Sequence, residues 1–554
     1  MSTANKITAD ELLSRTNRRR FLSYLGAAPT LTAFAGAGLL SSQSGFAATG
    51  PLGESQRRHR AFVIRRGAAI FQRDVAPTPS VSNGDEQAYA NRIASFSKGL
   101  PHNDLGEVDL NAYNAYLQAL NSGQWADFEA IPLGGAAKLS NPQAAYCYSM
   151  EGADAAALAA PPPPAFASAQ AAGEMVEDYW QALTRDVPFS QYGTDPTIAQ
   201  AVADLNKLSD YRGPKVNGQV TPDMIFRGPT PGDLTGPFLS QFLLKAVPMG
   251  AASMPQLYRT AVAGNDYWTS YADWLKGQRG GATGSNNFDS TPRYIRNNRD
   301  LAMYLLVDWS GQANVMAALI LNSFGAAALA PSNPYLYSAT QAGTTTFGAS
   351  QQIDLVNRMP NPANRACFCQ KWLVHRRVRP EAFGGGIHNV VTSAAKYPIH
   401  SDVLNSAALK AVFSATGSYL LPMAYPVGSP LHPSYPAAHA VTAGAGITVL
   451  KALFNESFVI PSPVTPSDDG LSLVPYTGAS LTVGGELNKL ASNIALGRDA
   501  AGVHYRSDGV EGIKLGEAIA ISILRDTATL YNEVFPGFSF TKYDGTPVTI
   551  CPNC

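Results

Sequence analysis

A lysine and an arginine eight residues apart open the stretch Lys371-Trp-Leu-Val-His-Arg-Arg-Val-Arg379-Pro380-Glu381, and their roles tie it to two distant segments. These are His432-Pro-Ser-Tyr-Pro436-Ala437-Ala438-His439 and Gly497-Arg498-Asp-Ala-Ala-Gly-Val-His504-Tyr-Arg-Ser-Asp508. A fold that gathers Lys371, Arg379 and Arg498 with His439 and His504 builds a pocket for a tetrahedral or trigonal oxyanion. Guanidinium forks and an ammonium suit a phosphate-shaped ligand. Each group taken alone has a plainer reading. Lys371 and Arg379 flank His375, Arg376 and Arg377, a basic run of the kind that normally lies in solvent. Arg498 would serve as a charge at a helix C-terminus, and His439 as a hydrogen-bonded core histidine.

The surrounding sequence reads as mostly helical, with short β-hairpins at most, because few segments alternate at period two. Charged residues make up only 15% and aromatics 10%, in keeping with a helix-rich globular protein. Met175, Val176, Tyr179, Trp180 and Leu183 recur at helical spacing. Residues 300–321 read as one long buried helix, whose polar interruptions (Asp308, Ser310, Gln312, Asn314) argue against a membrane span. Pro436 is expected in the first turn of a helix over 437–454, with the free N–H groups of that turn aimed outward. Asp508-Gly-Val-Glu511 reads as a capping box opening a helix from Val510 to about Tyr531. Residues 55–110 read as polar and irregular. The Ala-rich run 155–173, with Pro161 to Pro164, is expected as an exposed extended loop. The Gly/Ser/Asn-rich stretch 278–292 is the best boundary, giving an N-terminal helical region, 48–285, and a C-terminal one, 286–554, that carries the pocket.

Residues 1–47 form a separate element. Asn17-Arg18-Arg19-Arg20-Phe21-Leu22 precedes a weakly apolar run and a small-x-small site at Gly45-Phe46-Ala47. This is similar to a twin-arginine signal, which implies export to the periplasm or beyond. The alternative, a membrane anchor, is disfavoured because the run is short and glycine-rich. Removing 1–47 takes five of 41 basic and two of 41 acidic residues, leaving 36 against 39. A net charge of −3 gives no reason to expect a nucleic-acid partner. Of five cysteines, Cys551 and Cys554 read as a terminal staple, and an odd count leaves at least one thiol free or intermolecular.

The three pocket segments together resemble the vanadium-dependent haloperoxidases, which share their anion pocket with a superfamily of acid phosphatases. Arg498, His504 and Asp508 match the Arg-x5-His-x3-Asp element. The Lys-to-Arg spacing of eight resembles the bromoperoxidase branch, since chloroperoxidases and phosphatases use seven. Asn83-Gly84-Asp85-Glu86 and Phe96-Ser97-Lys98-Gly99-Leu100-Pro101-His102-Asn103 are similar to early segments of red-algal and cyanobacterial bromoperoxidases. The resemblance implies vanadate as cofactor, coordinated by His504 and held by Lys371, Arg379, Arg498 and the Ala438 amide. It implies His439 as the acid/base and Lys371 as a polarising cation. His432 stands where chloroperoxidases carry phenylalanine, which favours bromide and iodide over chloride. Hydrogen peroxide, halide and small organic acceptors would be the reaction partners, and a homo-oligomer the assembly.

One departure stands out. The family's Pro-Ser-Gly-His is here Pro436-Ala437-Ala438-His439, so a serine hydroxyl is missing from the oxyanion's surroundings. A hydrogen bond to a charged group is worth roughly 1.5–3 kcal/mol, or about 10- to 150-fold in affinity. Weaker vanadate retention is therefore expected, with the site intact. Two other readings use the same residues. In a phosphatase His504 would be the nucleophile and His439 the acid; a non-catalytic oligomeric relative with a decayed pocket has Ala437 as its only support.

Overall fold

The computed structural model describes residues 51–551. Eight helices frame the pocket. In chain order they are α1 (Ala169–Leu183), α2 (Asn298–Val307), α3 (Gln312–Ser323), α4 (Pro360–Cys369), α5 (Pro380–Val391), α6 (Ala438–Leu453), α7 (Val483–Ala500) and α8 (Arg506–Ala528). Further helices surround them, and the sheets among the described residues are three two-stranded antiparallel hairpins. These pair Val247–Met249 with Ala252–Met254, Val464–Pro466 with Leu473–Pro475, and Phe538–Thr541 with Pro547–Ile550. The mostly helical reading holds. Residues 62–554 form one unit, to which the pocket belongs; the preceding unit, 1–61, is described only from residue 51.

Helices α6 and α8 are the spine, and glycine decides how they meet. A Cβ on Gly516 would come within 1.9 Å of the Val441 carbonyl oxygen, and one on Gly444 within 2.2 Å of the Ile513 oxygen. Backbone therefore rests on backbone, with no side chain between. Helix α6 is buried at every position from Ala440 to Leu453, on all faces and not only along Val441, Ala445, Ile447 and Leu450. Such a helix belongs in the centre of a large core. Its N-terminus and that of α8 lie together: the Ala437 N–H donates to the Asp508 carbonyl at 2.9 Å.

Several boundaries differ from the sequence reading. The run 300–321 is two helices, α2 and α3, broken at Asp308–Gly311, where Gly311 takes the left-handed φ of 88°. Those polar residues end one helix and start the next. Pro436 lies one residue outside α6, whose N-cap is Ala437. Helix α8 begins at Arg506, so Asp508 is its third residue and not its cap; one carboxylate oxygen accepts the Tyr505 N–H at 3.3 Å. The expected capping box of Asp508 with Glu511 is therefore replaced by one of Tyr505 with Asp508, three residues earlier. Residues Glu54–Asp74 are helical, not irregular. Of the run 155–173 expected as an exposed loop, 155–168 are non-helical but partly inside, with Ala155, Ala160 and Phe166 buried, and 169–173 already belong to α1. The 278–292 stretch is a loop between the helix Tyr271–Gln278 and α2.

Cys147, Cys367 and Cys369 are free thiols. Cys551 is held in a disulfide; Cys554 lies outside the described residues, as does the signal-like segment 1–47. No helix among the described residues is long and apolar enough to cross a membrane.

Candidate functional site

Lys371 sits on a π-helical turn, Gln370–His375, that continues α4. The wider turn ends at Arg376, whose φ of 42° redirects the chain into an extended run. Lys371 is fully buried, and its ammonium donates to the carbonyls of Pro433 and Ser434 at 2.7 and 2.6 Å. Burial, reinforced by the nearby charge of Arg379, pulls its pKa down to about 7. Arg379 is the N-cap residue of α5, followed by Pro380 at the first helical position. Its Nε donates to the His432 carbonyl at 2.9 Å, and one terminal nitrogen to the Val503 carbonyl at 2.6 Å. That nitrogen is also 3.0 Å from His504 Nε2, and the other is 2.9 Å from His432 Nδ1. Burial lowers the Arg379 pKa to about 10.

The residues between them are not solvated surface charges. Arg376 forks onto Glu86 with two contacts of 2.6 Å. Arg377 bridges Glu174 at 2.8 Å and Asp508 at 2.7 Å, and its guanidinium stands 3.9 Å from the Tyr505 ring centroid. Asp508 then holds His504: its Oδ2 is 2.8 Å from His504 Nδ1 and also accepts from the Ser434 hydroxyl. Burial first, then Arg379, Lys371 and Arg498, hold the His504 pKa well below the ordinary value. Nδ1 faces the Asp508 carboxylate, and Nε2 is turned toward the Arg379 guanidinium. Burial first, then Lys371 and Arg379, likewise push the His432 pKa well below the ordinary value. Phe368 lies against the His432 ring, with centroids 5.4 Å apart.

Arg498 comes from the last turn of α7. It donates to the Leu305 carbonyl at 2.8 Å, while its buried Nε finds no protein partner. His439, in the first turn of α6, is the open member of the set. Its side chain is 29% exposed, and Nε2 lies 3.1 Å from Asp308 Oδ1. Asp308 is thus a site residue that sequence reasoning passed over. The signal was an acidic side chain ending an apolar helix beside Trp-Ser-Gly.

Ala438, His432, His439, Arg498, His504 and Asp308 line one cavity of about 560 Å³. Lys371 and Arg379 do not reach its surface and stand in the wall behind the histidines. Of the residues expected at the site, His432, Ala438, His439, Arg498 and His504 line the cavity, whereas Arg379 meets it only through His432 and His504, and Lys371 only through the Pro433 and Ser434 carbonyls. The donor set fits an oxyanion: uncompensated cations, an orphaned Arg498 Nε, a helix N-terminus and one imidazole lone pair. Among the described residues, no group of three or more His, Cys, Asp or Glu side chains could hold a metal cation.

Residues 406–533 match the family model described as the VCPO second helical-bundle domain. The chain is similar to a vanadium-dependent bromoperoxidase of Ascophyllum nodosum, at 35% identity over 90% of this chain and 93% of that one. It is similar to that of Corallina pilulifera at 33% identity, over 90% of this chain and the whole of the relative. Among solved structures, the homohexameric second vanadate-dependent bromoperoxidase of A. nodosum superposes with a TM-score of 0.87 at 31% identity, covering 96% of each chain. This fold and these relatives establish that the chain belongs to the vanadium-dependent bromoperoxidases and is a haloperoxidase.

Proposed function

We propose that this chain uses vanadate to oxidise bromide, and iodide, with hydrogen peroxide. Peroxide, halide and a proton give hypohalous acid and water, and the acid halogenates small organic acceptors outside the protein. The observation that carries this reading is His504, its Nδ1 held 2.8 Å from Asp508 Oδ2 and its Nε2 3.0 Å from the Arg379 guanidinium, on the wall of a cavity that Arg498 also lines. In this reading His504 Nε2 would hold the metal, while Asp508 fixes the tautomer and ring plane. Lys371, Arg379, Arg498 and the Ala438 N–H balance the charge on the oxyanion's oxygens. Vanadate, when bound, supplies a Lewis acid that activates peroxide at constant oxidation state.

The proton that the reaction consumes needs a carrier with access to water. His439 lines the cavity, 29% of its side chain meets solvent, and Asp308 orients its ring, so His439 takes that role. His432, pressed against Phe368, shapes the wall that the halide meets and disfavours chloride. The homohexameric relative supports a homo-oligomer here, and the twin-arginine-like start supports export. Bromination of an organic acceptor, measured with peroxide and bromide, with and without added vanadate and beside a phosphomonoester assay, tests the reading. Vanadate-dependent bromination is the expected result; phosphomonoester hydrolysis without bromination would replace it with the phosphatase reading.

A further inference from the structure

The two early motifs, Asn83–Glu86 and Phe96–Asn103, are far from the cavity in sequence and line no part of it, yet they grip the stretch that carries Arg379. Backbone bonds tie the two chains side by side: the Phe96 N–H donates to the Arg376 carbonyl at 2.7 Å, and Val378 N–H to the Ala94 carbonyl at 3.2 Å. An ion pair closes each end. At one, Glu86 forks onto Arg376. At the other, Lys98 is 3.3 Å from Glu381, two residues after Arg379.

Lys98 does more than pair. Its side chain is 3% exposed, and the ammonium lies 4.4 Å from the Trp268 ring centroid. It donates to the carbonyls of Val427 at 2.9 Å and Ser429 at 2.5 Å. Glu381 grips the same loop, accepting from the Ser429 N–H at 3.3 Å and from the Ser429 hydroxyl. Three residues later that loop presents the His432 carbonyl to Arg379, then the Pro433 and Ser434 carbonyls to Lys371. A buried ammonium is costly to desolvate, and here two carbonyls, a carboxylate and the Trp268 ring receive it.

We propose that residues 86–98 are a strap that sets the oxyanion site, with Lys98 as the positioning residue that fixes the 427–434 loop against the start of α5. The strap keeps Arg379 and Lys371 pointed by their carbonyl partners, and it acts on anion affinity without touching the anion. This rests on the oxyanion-site reading above.

The test is titration of the full chain with inorganic phosphate and with vanadate, followed by calorimetry, alongside thermal unfolding. Lys98→Gln keeps a donor and loses the charge. It should weaken both anions at least about tenfold, the size of effect that loss of an outer-shell partner has. Turnover of the vanadate-saturated variant and its KM for bromide should stay within about twofold of wild type, because the reacting face is untouched. Lys98→Arg should restore most of the affinity. A role confined to folding would lower the unfolding temperature and leave the affinity of the folded protein unchanged, and that outcome overturns the proposal. Should Lys98→Gln not fold, Glu86→Gln at the other end of the strap carries the test: about threefold or greater weakening supports the strap, and unchanged affinity overturns it. Failure of the wild-type chain to bind either anion would instead strike the oxyanion-site reading.

Discussion

The back wall and the open face of the site are built on different rules. Behind the histidines, every charge is buried and tied: Lys371 to two carbonyls, Arg379 to the backbone at 432 and 503, Arg377 to Glu174 and Asp508. At the front, His439 has a single side-chain partner, Asp308, and 29% of its side chain meets solvent. Fixed partners cost nothing to organise when a ligand arrives, which suits binding and electrostatic stabilisation. A group that must gain and lose a proton each cycle needs water and a loose tether. The difference matches the proposed division, in which the wall holds the anion and the face turns it over.

The sharpest way to break that division is His504→Ala. It should abolish vanadate binding and bromination together, a loss read by equilibrium dialysis with vanadate beside the bromination assay. Retention of tight binding would move the metal ligand elsewhere. Next in size is His439→Ala, which should keep much of the vanadate affinity and slow turnover about 10²- to 10⁴-fold, the usual worth of a positioned acid/base. Equal loss of vanadate in the two variants would erase the distinction between wall and face.

A pH series sharpens it further. Burial holds Lys371 near pKa 7, and an oxyanion beside it favours the ammonium, so binding takes up a proton above that pH. Vanadate and phosphate affinity should fall by up to about tenfold per pH unit as pH rises through 7 and beyond. Lys371→Met should flatten this alkaline limb and lower affinity throughout; a slope surviving in the variant would assign it to another group.

The smallest expected effect is at Ala437. Ala437→Ser adds a hydroxyl beside the helix N-terminus and should tighten vanadate by about tenfold, within the ~1.5–3 kcal/mol set for a charge-assisted bond. Because residue 437 is the N-cap, the same hydroxyl also serves as a helix cap, worth ~1 kcal/mol. A rise in unfolding temperature without tighter vanadate would mean that the cap has claimed the hydroxyl.

The site was legible because its chemistry is carried by residue type at fixed local spacing. Arg498, His504 and Asp508 are spaced around one helix start, and Lys371 and Arg379 flank one turn. What escaped depends on partners remote in sequence. Glu174 and Arg377 are buried by each other, and no window of sequence contains both. Asp308 looked like an interruption because its meaning lies in His439. Glu54–Asp74 looked irregular for want of apolar periodicity, yet Arg, Gln and Ala form helix readily by propensity alone. Pro436 and Asp508 were misplaced by only one to three positions, which is the width of the ambiguity between cap and first turn.

The seam between α6 and α8 has a further consequence. Gly444 and Gly516 leave no side chain to act as a cushion, so Ala438 and His504, carried at the heads of these two helices, are spaced as if on one casting. The tolerance of the active site is then machined well away from it. One methyl group added at Gly516 should open the seam and detune the site while leaving every residue in it unchanged.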